Sequence, residues 1–546
     1  MRRRNLLLGG AGLTLGTSLG CREREASAPG FSAEFVGQSP ERGHLLRSAE
    51  LLSAPIDETR RVAVAIVGGG VAGFSAAWRL RKAGLPASDL LLFDLEPRIG
   101  GTAAGDALPR APHPMGAHYL PTPPRECVEL HELLADLGVL VGREFDGNPE
   151  YASTAICSAP LERHFLDGQW YPGLYPEAGQ TQDEADQFER FWELLQRWDR
   201  RSDGAGRLLF RLPARRSSPR LAALDRMSMA DWLKDQGFDS WRLDWFVDYA
   251  CRDDYGCSAA QTSAWAGLHH FLGRGLAQNR EGQLLVWPGG NGDLVGLIRN
   301  WLETEECILT DHLVYAIDPK VGSLRVRDLA GAVCKQIEAD VILWAAPRYL
   351  LPHVLPTGGD TLGPDLATLS YAPWLVANLE LAEAPGGLGA PLAWDNVPVI
   401  RDTAARNLGY VVATHGEDRE QAVGGGAVIS FYQPLVPGHG STLSEERAKL
   451  LSADARQWGE RVIAALESMH PAIRREVRAL HVHRWGHAMV RPTPGLLSGG
   501  VLERARAPIG NRLRACATDV GGLALFEEAF YAAIEAADWA WGQLAR

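Results

Sequence analysis

The sequence predicts an α/β fold in which two lobes interleave along one chain, and two observations carry that prediction. Near the start, an apolar β-branched strand, a glycine turn, a small-residue helix and a second apolar strand follow one another from Val62 to about Leu95. Near the end, Ala515-Cys516-Ala517-Thr518-Asp519 passes through Gly521-Gly522 into the helical run Leu525-Phe526-Glu527-Glu528-Ala529-Phe530. If both ends serve one sheet, the residues between them must leave it and build a second lobe.

Each part of the first motif has a physical job. Val64-Ala65-Ile66-Val67 reads as a strand buried on both faces. Gly68 allows the tight turn, Gly70 lets the backbone approach a pyrophosphate, and Gly73 lets the helix pack close on the strand. The helix then points its N-terminal N–H groups and positive dipole end at the phosphates. Asp94, twenty-one residues after Gly73, stands where a carboxylate accepts hydrogen bonds from a ribose hydroxyl. A glycine turn alone also arises for packing, but here strand, helix, second strand and acid all stand in order. The motif therefore predicts a Rossmann-like dinucleotide site.

The stretch Asp94-Leu95-Glu96-Pro97-Arg98-Ile99-Gly100-Gly101-Thr102 narrows the dinucleotide, because nicotinamide domains need no second glycine pair. It resembles the signature of the FAD-dependent amine oxidase superfamily, which includes phytoene desaturases and protoporphyrinogen oxidases. The resemblance implies FAD, with Asp94 on the adenosine ribose and Arg98, Gly100 and Gly101 wrapping the diphosphate. Two positions depart from the family pattern: Asp94 replaces a Glu, and Thr102 replaces a basic residue. The Asp519 segment is similar to the family's C-terminal flavin motif. That likeness implies Asp519 on the ribityl chain and the helix beginning at Phe526 aimed at the pyrimidine end of the flavin, where reduction builds negative charge. An Asp in a glycine-rich turn capping a helix is the plainer reading of the same residues. Gly116-Ala117-His118-Tyr119-Leu120 resembles the segment that brings backbone near the flavin. Ala339 to Pro347 resembles the strand closing the cofactor domain, and Trp287-Pro288-Gly289-Gly290 its Pro-Gly-Gly turn.

The resemblance implies a Rossmann-like FAD-binding domain interleaved with an α+β substrate domain, the two-lobe architecture of amine oxidases. Along the chain this gives a signal at 1–21 and a tether and lead-in at 22–61. FAD-binding parts follow at 62–125, 286–350 and 496–546, with a mainly helical substrate lobe at 126–285 and its sheet and helix at 351–495. Apolar spacing predicts helices at Cys127–Leu137, Asp183–Trp198, Met229–Tyr249 and Ala259–Leu272. A charged helix is expected from Leu443 to His470, opened by the capping-box pair Thr442 and Glu445.

Export is written before the fold begins. Arg3-Arg4-Asn5-Leu6-Leu7 resembles a twin-arginine signal, and Leu19-Gly20-Cys21 a lipoprotein box that would lipidate Cys21; cleavage after Ala28 is the rival. The expected location is periplasmic or membrane-anchored, with the twin-arginine machinery and the membrane as partners. That route carries folded proteins, so a cofactor can be inserted first. The net charge of −12, with no basic stripe beyond Arg2–Arg4, argues against a nucleic-acid partner. Cys127, Cys157, Cys251, Cys257, Cys307, Cys334 and Cys516 form no metal spacing and no disulfide framework, and no metal site is expected. Cys251 and Cys257 either pair after export or stay as buried thiols.

Flavin chemistry asks mainly for placement of a C–H bond near N5 with water excluded. Trp485 and His487 are the candidates to face the flavin, and Asp253 and Asp254 to anchor a cationic substrate. Packing within a strand and a solvated helix end are the plainer readings of those pairs. In many amine oxidases a lysine reaches flavin N5 through water from a strand that aligns with Ser370 to Leu379; no lysine occurs there. The expected function is oxidation of a C–H bond, amine-type first, in a small-molecule substrate by an exported FAD oxidoreductase. Oxygen or a quinone would take the electrons. The alternatives are a desaturase or isomerase of an apolar substrate, its cavity lined by Trp192, Trp198, Trp232, Trp241, Trp245 or Trp265, and a flavin-bearing assembly or electron-transfer protein.

Overall fold

The structure, a computed structural model, describes residues 30–545 except 146, 276–282, 304–305, 357–368, 416–425 and 439. The arginine pair, Cys21 and Ala28 lie outside the described residues. The fold is mixed α/β, with two large sheets. In the first, the strand Glu58–Val67 sits centrally, parallel to Leu90–Phe93 on one side and to Cys334–Trp344 on the other. Ile308–Leu309 extends the sheet beyond Leu90–Phe93, and Ser323–Asp328 and His312–Asp318 add antiparallel strands at the far edge. Leu513–Ala515 pairs in parallel with Ile342–Trp344, so the two chain ends meet on one sheet. The helices Val71–Lys82 and Phe526–Leu544 pack together over it, Trp78 against Phe530 at 6.1 Å between ring centroids. Val64, Ile66, Leu90, Leu92 and Leu343 join the helical side in one apolar core, while Ala65, Val67, Leu91 and Ile342 face a second core on the opposite side. Burial on both faces explains the unbroken apolar runs.

The second sheet runs in the order Ser32–Phe35, Val477–Val490, Tyr371–Leu381, Ala427–Pro434, Tyr410–Val412, Asp395–Pro398, Glu162–Leu166, Gln169–Pro172. The helix Ala455–Glu467 buries Trp458, Val462, Ile463 and Leu466 against it. Three of its strands come from stretches expected to do something else. Ser32–Phe35, inside the expected tether, is bonded in parallel to Val477–Val490, with Phe31 buried beside Gly459. Glu162–Pro172, inside the mainly helical stretch, forms the far edge hairpin. A short apolar segment next to an open sheet edge gains hydrogen bonds and burial together, which composition alone does not register.

Helix boundaries shifted for local reasons. The Met229–Tyr249 expectation is two helices, Met229–Asp235 and Trp241–Tyr255, divided by Gly237 at φ +73° and restarted by Ser240, whose hydroxyl accepts from Leu243 N. The expected charged helix also breaks, into Leu443–Ser452 and Ala455–Glu467, because Asp454 caps the second with its own capping box. The Thr442–Glu445 box forms as the spacing predicts, with Glu445 N donating to Thr442 Oγ1 at 3.2 Å and Thr442 N to Glu445 Oε2 at 2.7 Å. No described helix is long and apolar enough to cross a membrane.

Candidate functional site

The glycine fingerprint folds into a strand–turn–helix with little freedom. Gly68 lies at φ +114°, and a Cβ there would stand 2.7 Å from the Ala345 backbone. A Cβ on Gly73 would lie 1.9 Å from Gly68 O, so the helix can approach its strand only without a side chain. Val71–Lys82 starts at Gly70 without any side-chain cap, leaving its first N–H groups for a ligand. Asp94 Oδ2 accepts from Gly69 N at 2.7 Å and Oδ1 from Glu96 N at 2.8 Å. Burial raises its carboxyl to about 6 against those two donors. Gly100 N in turn donates to Gly69 O at 2.7 Å, which draws the second glycine pair over the first. Arg98 lies on this loop but turns to Asp106.

The Pro-Gly-Gly turn fixes the next wall. Gly290 at φ +65° leaves no room for a Cβ beside Ala117 O, and Asn291 donates from its backbone to Ala117 O and from Nδ2 to Tyr119 O. Ala117 N donates to Thr102 O at 3.0 Å, and a Cβ on Gly116 would reach 2.3 Å from the same oxygen. Thr102, exposed itself, therefore serves through its carbonyl.

At the C-terminal motif the bonding is incomplete. Asp519 Oδ2 accepts from Arg348 N at 2.6 Å and from Tyr371 Oη at 2.8 Å, but the buried Oδ1 has no partner. The Arg348 side chain is also buried, and its Nε and Nη1 have no hydrogen-bond partner. Orphaned charged groups in the interior cost several kcal/mol unless something meets them, roughly 1–3 kcal/mol or more for each. An anionic ligand carrying hydroxyls fits that donor and acceptor set. The long helix opens at Phe526, half-buried, again with no side-chain cap at Leu525. Its first-turn acids are held elsewhere: Arg274 pairs with Glu527 through Nε at 3.1 Å and Nη2 at 3.2 Å, and Ala214 N donates to Glu528.

Beyond Gly116 the chain gathers aromatic rings and acids. Tyr119 Oη donates to Asp253 Oδ2 at 3.0 Å, Tyr249 Oη to Asp395 Oδ2 at 2.9 Å, and Tyr432 Oη to Gly116 O at 3.1 Å. His118 stacks on Tyr432 at 4.5 Å, and Trp394 meets Tyr119 edge-on at 5.7 Å. Trp374, Trp394 and Trp485 belong to the same apolar cluster. Tyr119, Tyr249, Asp253 and Asp395 are each half-buried, and burial is the main cause that raises the pKa of each. Burial and the neighbouring Asp254 raise Asp253 to about 6. Burial, with Glu162 and Asp253 adding, pushes Asp395 well above the carboxylate range, and burial holds His118 neutral, down at about 4.

The structure brings Gly68, Gly70, Gly73, Asp94, Gly100, Gly101, Thr102, Gly116 and Ala117 onto one continuous wall, with Asp519 reached through the adjoining strand end. It separates the two acids of the substrate pair: Asp253 faces Tyr119, whereas Asp254 turns to His270 Nδ1 at 2.7 Å and to Arg274. Burial opposes ionisation of Asp254, but its neighbours His270 and Arg274 outweigh it and hold its carboxyl down at about 2. Trp485 is buried against Gly116 and donates to Met115 O at 2.7 Å, making it a wall. His487, exposed, stacks on Tyr349 at 4.5 Å beside Tyr371. Of the tryptophans expected to line a cavity, Trp192, Trp232 and Trp265 are buried in the helical core, while the buried Trp245 stacks on Tyr249 at 5.8 Å. Cys251 and Cys257 are free, buried thiols.

Sequence reasoning missed Arg348, Tyr371, Trp394, Asp395 and Tyr432. Arg348 directly follows the Ala345-Ala346-Pro347 landmark and was within reach; the others sit in ordinary strands with no local signal. None of the five lysines supplies the one missing from the Tyr371–Leu381 strand. Lys82, Lys335 and Lys449 pair with acids elsewhere, and Lys234 and Lys320 are exposed.

A family model of NAD(P)-binding Rossmann-like domains matches residues 66–137. By sequence, no curated protein matches the chain. Among solved structures, wild-type putrescine oxidase bound to putrescine aligns with a TM-score of 0.61 at 15% identity, covering 89% of this chain and 100% of that one. Cyclohexylamine oxidase from Brevibacterium oxydans gives 0.60 at 15%, over 89% and 100%. A CLA-producing fatty acid isomerase from P. acnes gives 0.60 at 13%, over 87% and 97%. These likenesses establish the fold, a Rossmann-like dinucleotide domain interleaved with an α+β lobe.

Proposed function

We propose that this chain is an FAD-dependent oxidoreductase that oxidises a C–H bond of a cationic, amine-type substrate, and that it is exported through the twin-arginine route and tethered at Cys21. When bound, FAD supplies an N5 that accepts a hydride and passes the electrons to oxygen or a quinone. Asp94 and the uncapped N-terminus of Val71–Lys82 would hold the adenosine ribose and diphosphate. Asp519 Oδ1 and the Arg348 guanidinium would meet the ribityl and flavin end.

The observation that carries the substrate class is Asp253 standing among aromatic rings. Above about pH 6 its carboxylate attracts a cation, Tyr119 fixes one of its oxygens, and the faces of Tyr119, Trp394 and Tyr432 add cation–π attraction while excluding water. Asp395, pushed well above the carboxylate range by burial, adds a polar group hydrogen-bonded to Tyr249. The solved amine oxidases of the same fold lend further support. A second reading, turnover of an apolar substrate, draws on the wall of Trp374, Trp394 and Trp485.

Two measurements separate these. Purified protein reconstituted with FAD is expected to retain a flavin absorbance band, and its absence overturns the cofactor. Stopped-flow reduction across a panel of amines is expected to find a substrate whose kcat/KM rises with pH through about 6 and then levels, as Asp253 ionises. In Asp253→Asn that rise disappears and kcat/KM falls about 100-fold, the cost of removing one member of a buried charge pair. No reduction by any amine, with turnover of an apolar substrate untouched in Asp253→Asn, establishes the second reading instead.

A further inference from the structure

We propose that Asp106, His113 and His481 form a binding site for a divalent zinc-class metal ion, on the hairpin that leads into the Gly116 segment. Asp106 and His113 are directly opposed across the hairpin of Gly105–Ala107 and Pro112–Pro114, so their side chains share a face. His481 comes from Val477–Val490 in the other sheet. The ligand atoms of the three lie within 4.8 Å of one another.

The hydrogen bonds around the site fix which nitrogens are free. His113 Nδ1 lies 3.3 Å from Pro114 O, and a carbonyl only accepts, so Nδ1 carries the proton and Nε2 presents a lone pair. His481 Nε2 lies 3.0 Å from Glu34 Oε1, its register partner on Ser32–Phe35, so Nδ1 presents the other. Those two lone pairs face each other at 3.1 Å, with Asp106 Oδ2 3.9 Å from His481 Nδ1. Electron-pair donors converging on one point repel unless a proton or a metal ion stands between them, and the Asp106 carboxylate beside the two rings supplies the third ligand a metal ion would take.

Two nitrogens 3.1 Å apart and each about 2.05 Å from an ion subtend roughly 100° at it, close to tetrahedral. Asp106 closes the third position by drawing its Oδ2, now 3.9 Å from His481 Nδ1, in to a Zn–O bond of about 2.0–2.2 Å. The remote ring N–H groups are held by a carboxylate and a carbonyl, the partners that orient metal-binding imidazoles. Arg98 occupies the other oxygen of Asp106 and leaves Oδ2 free. His483, 5.7 Å from His113 between ring centroids, has both nitrogens engaged, by Val36 O and by Asn378, which limits the protein ligands to three. Asp106 and His481 are half-buried, so an ion can enter. Its effect would be to clip the hairpin leading to Gly116 onto the second sheet.

The test is titration of chelator-stripped, untagged full-length protein with Zn²⁺ against a chromophoric chelator, followed by thermal unfolding. One equivalent is expected to bind and to raise Tm. His481→Gln and Asp106→Asn each weaken binding at least 10-fold and abolish the Tm shift, and Glu34→Gln weakens it about 10-fold through the lost ring orientation. His113 is fully buried and its replacement risks the fold, so His481→Gln, nearer the surface, is the deciding variant. Absence of a stoichiometric equivalent, or affinity unchanged in His481→Gln, overturns the site and leaves a proton shared between the two rings.

Discussion

The two acids at opposite ends of the chain do the same job by expectation and are bonded in opposite ways. Asp94 spends one oxygen on Gly69 N and the other on Glu96 N, so the protein itself uses its full width. Asp519 takes both of its protein donors on Oδ2 and leaves Oδ1 buried and empty-handed, next to an Arg348 guanidinium in the same condition. The first acid shapes a turn and also offers spare lone pairs; the second has an oxygen that a ligand hydroxyl could meet. An unsatisfied acid beside an unsatisfied guanidinium points to a binding role that a saturated one does not.

The contrast can be broken by exchanging each acid for its amide. The largest effect is expected for Asp519→Asn, which should weaken FAD binding about 30-fold by replacing an acceptor with a donor, read by flavin fluorescence titration. Its remaining carbonyl oxygen can still take Arg348 N and Tyr371 Oη, so the Tm of the flavin-free protein should hold or rise. Asp94→Asn should do the reverse: its NH₂ must face a backbone N–H, costing about 1–2 kcal/mol of flavin-free stability by denaturant unfolding. Equal losses of flavin-free stability in the two variants would erase the distinction. The smallest effect sharpens it from outside: Thr442→Ala removes a cap in the second lobe and should cost about 1 kcal/mol while leaving FAD affinity unchanged.

Helix starts repeat the lesson on a wider scale. Gln182–Gln196, Trp241–Tyr255, Ala264–Leu272, Leu443–Ser452 and Ala455–Glu467 are each capped by their own Thr, Ser or Asp. Val71–Lys82, Asn291–Trp301 and Phe526–Leu544, which follow the three glycine-rich landmarks, carry no side-chain cap. Capping residues and glycines are both local signals, and so both were legible: the Thr442 box and the Gly68 to Gly73 turn formed as their spacing predicts. Helix lengths were less so, because Gly237 and Asp454 interrupt patterns whose apolar spacing continues across the break.

The substrate side was the least legible part. Asp253 was a candidate from its position at a helix end, yet nothing in its neighbours distinguishes it from Asp254, which is spent on Arg274 and His270. Tyr119, Tyr249, Asp395 and Tyr432 come from four distant segments, and each is unremarkable in its own strand or helix. The metal cluster is the same case, since Asp106 and His481 are hundreds of residues apart and share no spacing.

By itself the sequence determined the turn chemistry where the requirement is local, as at Gly73 under the carbonyl of Gly68; Gly68 itself also answers to Ala345, far along the chain. It also carried strand, turn and helix signals at both ends, and the family resemblance led to the shared sheet that the pairing of Leu513–Ala515 with Ile342–Trp344 forms. Only the tertiary structure decided which acid meets which ring, which cations neutralise which carboxylates, and which polar atoms are left over. Those outcomes depend on the packing of the two sheets against the helical lobe, and contacts between distant segments leave no period or spacing in the chain.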